Sequence, residues 1–302
     1  MIPRRRFLKN TLLAGSSLLA GAAGWAGTGR PVGKPPLTLL TTNDTHSRLD
    51  PFPADASRYA GMGGVARRQT LIQQFREKQS PLLVLDAGDM FQGTPYYNVF
   101  QGIPEMEAMS RLGYDAGTIG NHEFDNGVEG LAEALKHANF PLLSANLEAT
   151  GTPLAGAWKP DLVRHIDSWK VGIFGLCVPL TGLVSPRFWD GITILDTLEV
   201  ARAQSENLRA RGCDLIICLS HLGLSPNNDP NDYQLANAAP EIDLIVGGHS
   251  HNFINNPIVV KHDHHAPTQI TQQGWAGIRL GVIRVEPTLY SLNIQSTFTP
   301  VC

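Results

Sequence analysis

Short apolar segments alternate with helical patterns along most of this 302-residue chain, and this alternation limits the folds that it can adopt. Each segment is apolar throughout, as expected for strands that are covered on both faces. Strands are predicted at 37–42, 82–86, 116–119, 141–145, 171–177, 215–220 and 242–246, with three more at 258–260, 269–272 and 281–285. Helices are predicted at 65–78, 105–112, 128–137 and 198–211. The order of these elements predicts a layered α/β fold.

Five of the predicted strands end in side chains that can bind a metal ion. The segments at these ends are NDTH at 43–46, DAGD at 86–89, GNHEFD at 120–125, SH at 220–221 and GGHSH at 247–251. Ligand sites in open α/β sheets gather at the carboxyl ends of the strands, so we expect these segments to meet. Because no cut between them leaves a complete site, the spread also predicts a single domain.

The residue types at these strand ends indicate the kind of metal. Carboxylate, carboxamide and imidazole groups bind zinc, manganese or iron, and none of these segments contains a cysteine. Two such ions ~3.5–4 Å apart can activate water and stabilise the attacking and leaving oxygens of an in-line displacement. Each segment alone is also compatible with turn or helix-cap chemistry. The coincidence of all five at strand ends favours a metal site.

These motifs also carry a resemblance to a known family. Asn43-Asp44-x-His46-x-Arg48, Gly88-Asp89, the GNHEFD segment and the GHSH segment resemble those of the calcineurin-like metallophosphoesterases. More narrowly, they are similar to the N-terminal catalytic domain of the periplasmic 5′-nucleotidase and UDP-sugar hydrolase group. The resemblance spans about residues 37 to 286 and implies a four-layer αββα sandwich. It also implies the hydrolysis of phosphate esters with two divalent metal ions.

The resemblance assigns a role to each motif position. It implies that Asp44, His46 and His251 bind the first metal, that Asn121, His221 and His249 bind the second, and that Asp89 bridges the two. His122 is expected to stabilise charge on the phosphoryl oxygens or the leaving group, with Asp125 orienting its ring. A carboxylate beside an imidazole fixes its tautomer and favours the cation, which gives this pairing an independent physical reason.

Three functions remain open at this point. The first is a 5′-nucleotidase-like phosphomonoesterase that lacks the C-terminal base-binding domain of the enzymes it resembles. The second is a phosphodiesterase acting on 2′,3′-cyclic nucleotides, and the third is a non-catalytic metal-binding subunit of a split nucleotidase complex. The resemblance therefore implies a nucleotide or other phosphate ester as substrate. A separately encoded 5′-nucleotidase C-terminal-domain protein is an expected partner.

The N-terminal residues predict export from the cytoplasm. Arg4, Arg5 and Arg6 precede Phe7-Leu8-Lys9 and a short apolar run, an order that resembles the twin-arginine signal. We therefore predict a signal peptide at 1–29, a flexible lead at 30–36 and a catalytic domain at 37–302, located in the periplasm or outside the cytoplasm. A Sec signal and a retained amphipathic anchor are the alternatives. The run is too short and too rich in glycine to favour a stable membrane span.

Composition and the remaining residues give weaker indications of partners and of the substrate site. The formal net charge of -3 provides no basic stripe, so no nucleic-acid polymer is expected as a partner. Arg48 is expected either to face the substrate or to pair with a nearby carboxylate. The aromatic residues that follow Asp89 are expected either to line a substrate cleft or to pack in the core; they are Phe91, Tyr96, Tyr97 and Phe100.

Overall fold

A computed structural model describes residues 33–289 and 291–302. The predicted signal peptide at 1–29 and the first part of the predicted lead, 30–32, lie outside the described residues. In the part of the chain that is described, no helix combines the length and the apolar character needed to cross a membrane.

Two six-stranded sheets form the centre of the structure. The first has the order β14-β13-β1-β2-β3-β4, formed by Leu292–Pro300, Arg279–Pro287, Leu37–Thr42, Leu82–Asp86, Ala116–Thr118 and Leu142–Leu143. The second has the order β11-β12-β10-β9-β7-β6, formed by Ile258–Val260, Thr268–Thr271, Leu244–Gly247, Leu215–His221, Trp169–Cys177 and Asp161–Ile166. A separate two-stranded sheet pairs β5 (Leu147–Glu148) with β8 (Thr193–Ile194).

Each sheet combines four parallel strands with two antiparallel ones. Strands β1 to β4 run parallel to one another, while β13 and β14 join this sheet in antiparallel pairs. Strands β12, β10, β9 and β7 are likewise parallel, with β11 and β6 antiparallel at the edges. Every residue of β1 and β9 is buried, which explains why polar and apolar residues do not alternate along them.

Helices cover the outer face of each sheet. In chain order they are α1 (Val65–Lys78), α2 (Pro95–Phe100), α3 (Ile103–Leu112), α4 (Gly127–Leu135), α5 (Thr197–Ala210) and α6 (Asp232–Ala238). Residues of α1, α3 and α4 pack on the first sheet, and residues of α5 and α6 pack on the second. A third apolar cluster lies between the two sheets and includes Leu39, Leu85, Ile173 and Ile217. The order helix, sheet, sheet, helix confirms the predicted four-layer αββα sandwich.

The pairing registers bring the carboxyl ends of the parallel strands to the same level. Thr42 at the end of β1 lies opposite Asp86 at the end of β2. In the second sheet, His221 at the end of β9 lies opposite Cys177 at the end of β7. A hydrogen bond of 2.7 Å between the Nδ1 atom of His221 and the carbonyl oxygen of Ala87 joins the two edges. The metal-binding segments of both sheets therefore meet at one edge of the sandwich.

Candidate metal centre

The predicted metal ligands form two groups at this edge. Asp44, His46 and His251 make up the first group, and Asp89, His221 and His249 make up the second. Within each group the candidate ligand atoms all lie within 4.8 Å of one another. The Nε2 atom of His221 also lies 4.0 Å from the Oδ1 atom of Asp44, so the two groups are neighbours.

The first group directs three ligand atoms at a common point. The Nε2 atoms of His46 and His251 lie 3.0 Å apart, and that of His251 lies 3.3 Å from Oδ1 of Asp44. The Nδ1 atom of His46 donates a hydrogen bond to the carbonyl oxygen of Phe91 at 3.1 Å. This bond leaves the lone pair of Nε2 facing the group, as in metal-binding histidines whose other nitrogen is held by a carbonyl.

The second group has the same organisation and is more deeply buried. His221 is fully buried, and its Nδ1 atom donates to Ala87 while its Nε2 atom lies 3.0 Å from Oδ2 of Asp89. Among the described residues, the buried Oδ1 atom of Asn121 has no hydrogen-bond partner. Buried polar atoms are rarely left without a partner, so this oxygen fits a site for a cation.

Several predicted ligands lie on backbone that is unusual for their residue types. Five of the seven have a positive φ, namely Asp44, His46, Asp89, His249 and His251. Residues other than glycine adopt this conformation at a cost of ~1–3 kcal/mol, and such residues cluster at functional sites. Hydrogen bonds hold the strained loops in place: the backbone N–H groups of Asp44 and His46 donate to the carbonyl oxygens of Gly88 and Asp89.

Glu123 supports the second group, a role that its sequence position did not reveal. Its buried carboxylate accepts hydrogen bonds from the backbone N–H groups of Asp89 at 3.0 Å, Met90 at 2.7 Å and Gly120 at 2.6 Å. Burial and the nearby Asp89 carboxylate raise the pKa of Glu123 to about 7. The acidic residue inside the GNHEFD segment is the available sequence signal, but only the fold shows what it binds.

Asn43 organises the first group in a similar way. Its Nδ2 atom donates to Oδ2 of Asp44 at 2.6 Å and to the carbonyl oxygen of Gly274 at 2.7 Å. Its Oδ1 atom accepts from the backbone N–H of Gln273 at 2.8 Å. One side chain therefore joins a ligand loop to a segment that is distant in the sequence, which no local sequence pattern predicts.

The electrostatics prepare Asp89 and His249 for metal binding, whereas His221 must release a proton before it can bind an ion. Burial opposes ionisation of Asp89, yet the surrounding imidazoles, His221 first, hold its pKa below the ordinary value. Burial similarly works against the charged form of His221, but the Asp89 and Asp44 carboxylates raise its pKa overall. Burial and the neighbouring His221 lower the pKa of His249 to about 4, so its imidazole is neutral at neutral pH. A neutral imidazole and an ionised carboxylate are the forms that bind metals.

The predicted catalytic pair lies beside both groups. The Nδ1 atom of His122 is 2.7 Å from Oδ2 of Asp125, and the His122 backbone N–H donates to Oδ1 of Asp89 at 2.9 Å. The rings of His122 and His46 have centroids 5.3 Å apart. Although burial lowers it, hydrogen bonding to Asp125 and the Asp89 charge raise the pKa of His122 to about 9. His122 is therefore a cation at neutral pH and is partly open to solvent.

The other sequence candidates lie around this centre. The guanidinium of Arg48 stacks over the ring of Phe52 at 4.1 Å, and burial lowers its pKa. Phe91 and Tyr97 are buried and stack on each other, whereas Phe100 is exposed. Arg48, Tyr96 and Phe100 contribute to the lining of a cavity of about 480 Å³ that none of the predicted ligands lines.

The four-layer fold and the two neighbouring Asp and His groups define a class of proteins with candidate sites for two divalent ions. The chain belongs to the calcineurin-like phosphoesterase family, whose model matches residues 37–253. It is 36% identical over 270 residues to snake venom 5′-nucleotidase from Gloydius brevicauda, covering 82% of this chain and 45% of that protein. It is also 36% identical to 5′-nucleotidase from Homo sapiens, covering 95% of this chain and 51% of the relative.

A solved structure shows the same fold. The 5′-nucleotidase precursor from Thermus thermophilus superposes with a TM-score of 0.78 at 34% identity, covering 88% of this chain and 54% of that one. The chain thus spans about half the length of the curated relatives it matches. The resemblance expected from the motifs is confirmed at the level of the family.

Proposed function

We propose that this chain is a two-metal phosphomonoesterase of the 5′-nucleotidase type. The observation that carries the proposal is the convergence of the two ligand groups with the His122–Asp125 pair at one edge of the sandwich. A site that only stored metal would not require a charged imidazole beside the ligands. The family and the relatives named above support phosphate esters as the substrate class.

The ligand sets suit two divalent ions of the zinc, manganese or iron type. Asp44, His46 and His251 would hold the first ion, and Asn121, His221 and His249 the second, with Asp89 shared between them. When bound, the two ions supply Lewis-acid activation of the phosphoryl group and of the attacking water. Glu123 and Asn43 keep the ligand loops in place through their backbone hydrogen bonds.

His122 contributes a proton and a positive charge. Because its Nδ1 is engaged by Asp125, its Nε2–H is free to donate to a phosphoryl oxygen or to the departing alkoxide. Hydrogen bonding to Asp125 favours its protonated form. Asp125 fixes the ring orientation and stabilises the cation, as a carboxylate beside a catalytic imidazole does elsewhere.

A substrate screen tests this function. Chelator-treated protein reloaded with Zn²⁺ or Mn²⁺ is assayed on AMP, 4-nitrophenyl phosphate, bis(4-nitrophenyl) phosphate and 2′,3′-cyclic AMP. We expect hydrolysis of the monoesters and loss of that activity and of bound metal in Asp89→Asn. Preferential hydrolysis of the diesters would indicate that the protein is a phosphodiesterase and not a monoesterase. Metal-loaded protein that is inactive on every ester would indicate a metal-binding subunit.

We also propose that a separate protein supplies base recognition. The partner would correspond to the remaining half of the relatives named 5′-nucleotidase, which are about twice as long as the region that they share with this chain. The test is the KM for AMP with and without a separately encoded 5′-nucleotidase C-terminal-domain protein. A marked fall in KM with the partner supports the proposal. A low, base-selective KM for the isolated chain would exclude it.

Export by the twin-arginine route completes the proposal. Its support is the order of basic and apolar residues in the first 29 positions. Replacement of Arg4 and Arg5 by lysine should retain the full-length protein in the cytoplasm, as measured by fractionation. Unchanged export of that variant would point to the Sec route or another signal.

A further inference from the structure

His251 is held differently from His46 and His221. Its side chain is 40% exposed, compared with 6% for His46 and none for His221. The Nδ1 atoms of His46 and His221 donate to backbone carbonyls. For His251, the part of the chain that the structure describes provides no such bond, and its ring faces Asp44, His46 and Trp275. Its orientation therefore requires another support.

Trp275 provides that support. The rings of His251 and Trp275 are parallel, with an interplanar angle of 7° and centroids 5.9 Å apart. This is an offset-stacked arrangement, which is the favoured geometry for two planar rings in face-to-face contact. The indole lies against the imidazole, so rotation of the His251 ring away from the metal site would break the stack.

Trp275 is itself fixed to the metal centre. The residues on both sides of it are bonded to the first ligand loop: the Gly274 carbonyl accepts from Asn43, and the Ala276 N–H donates to the Asp44 carbonyl at 2.7 Å. Phe52 and Tyr59 pack against its edges, with ring centroids at 5.8 and 6.3 Å. These contacts therefore hold the indole in a fixed position relative to Asp44.

We propose that Trp275 is a positioning residue that sets the ring of His251 for metal binding in the first group. This inference rests on the metal centre of the proposed function but not on its substrate or reaction. A ligand held in its binding orientation loses less conformational freedom when the ion binds, so affinity rises. Stacking replaces the carbonyl hydrogen bond that supports His46 and His221.

Metal titration tests this role directly. Chelator-treated wild-type protein is titrated with Zn²⁺ by calorimetry and compared with Trp275→Ala, Trp275→Phe and Trp169→Phe. We expect Trp275→Ala to bind one of two equivalents about tenfold more weakly, with the other unchanged. Trp275→Phe should recover most of the affinity because its ring can still stack. Trp169 lies at the end of β7 that is remote from the site, so Trp169→Phe should bind as the wild type does.

Fluorescence provides a second measurement that is independent of catalysis. Mn²⁺ is paramagnetic and quenches an indole at short range, so binding to the first group should quench Trp275. The quenching should disappear in Trp275→Phe and persist in Trp169→Phe. The inference would be overturned if folded Trp275→Ala bound both Zn²⁺ equivalents with the affinities of the wild type. It would also be overturned if Mn²⁺ still quenched the fluorescence of Trp275→Phe to the same extent. Either result leaves the proposed hydrolase untouched, because that is tested by turnover of wild-type protein.

Discussion

Gly120 offers a sharp test of where the second metal lies, because its Cα faces the ligand atoms directly. A Cβ atom added at Gly120 would lie 2.2 Å from Oδ1 of Asp89 and 2.7 Å from Nε2 of His221. The φ of Gly120 is outside the positive range, so the backbone itself tolerates alanine. The methyl group of Gly120→Ala would therefore intrude on the second group, and because it would also lie 2.7 Å from the backbone nitrogen of Asp89, the Asp89 loop would have to shift.

The size of the effect follows from these distances. Non-bonded heavy atoms require ~3.5 Å, so the Asp89 carboxylate must move by more than ~1 Å. Metal–ligand distances tolerate only ~0.2 Å. The displacement disturbs both Asp89 and His221 at the second ion and should weaken the binding of that ion by at least about 100-fold. The first ion shares only Asp89, so its binding should be weakened less. Overpacking of this kind costs about 1–3 kcal/mol in the free energy of unfolding, which a domain of this size withstands.

Calorimetric titration of metal-free protein with Zn²⁺ measures the effect, and urea denaturation measures stability. Gly117→Ala is the matched control: it lies on strand β3, shortly before Gly120, and its added Cβ would meet only side-chain atoms of Leu142, Phe140 and Asp86, at 3.2 Å or more. We expect Gly120→Ala to retain one ion and little activity, and Gly117→Ala to retain both ions. Two ions bound by Gly120→Ala with wild-type affinity would refute the placement of the second site.

Three further outcomes are expected. His122→Asn should lower kcat by about 10²–10⁴-fold while two ions stay bound. Turnover assays measure kcat and metal analysis measures the bound ions. A variant with the kcat of the wild type would exclude His122 from catalysis. Burial raises the pKa of Asp86 to about 7, so the folded protein keeps a proton that the unfolded chain loses near pH ~4, and stability should fall as pH rises between these values. The expected loss in the free energy of unfolding is on the order of 4 kcal/mol. In urea denaturation of the metal-free proteins, the stability of Asp86→Asn should depend less on pH than that of the wild type. Identical pH profiles of stability for the two proteins would count against a protonated Asp86. Chelation should lower the Tm and Zn²⁺ should restore it, because ligands that bind only the folded state stabilise it, and an unchanged Tm would argue against tight metal binding.

The sequence was most informative where elements are long and strongly patterned. The observed bounds of β1 and α1 match the predicted ones, because the strand is buried on both faces and the helix begins after a glycine pair. Strand β6 was not predicted, since it lies at a sheet edge and none of its side chains is fully buried. Helix α6 was also missed because it is short; its Asn231 capping box is the local signal that was available.

The site was predictable to the extent that its residues follow strands. The six Asp and His residues that form the two groups all lie in the strand-end segments, the family resemblance assigned them as ligands, and parallel pairing explains why they meet. Trp275 and Asn43 could not be assigned in this way. Their roles depend on the approach of the 272–276 loop to the Asp44 segment, which is a tertiary contact without a periodic signature. Glu123 was visible as a motif residue, but its backbone partners were not.

Anomalous diffraction from crystals of the Mn²⁺-loaded protein tests the proposed Asp89-bridged pair of ions. We expect two peaks ~3.5–4 Å apart, with the Asp89 carboxylate between them. Asp44, His46 and His251 should contact one peak, and Asn121, His221 and His249 the other. A single peak, or a pair of peaks that Asp89 does not bridge, would contradict it.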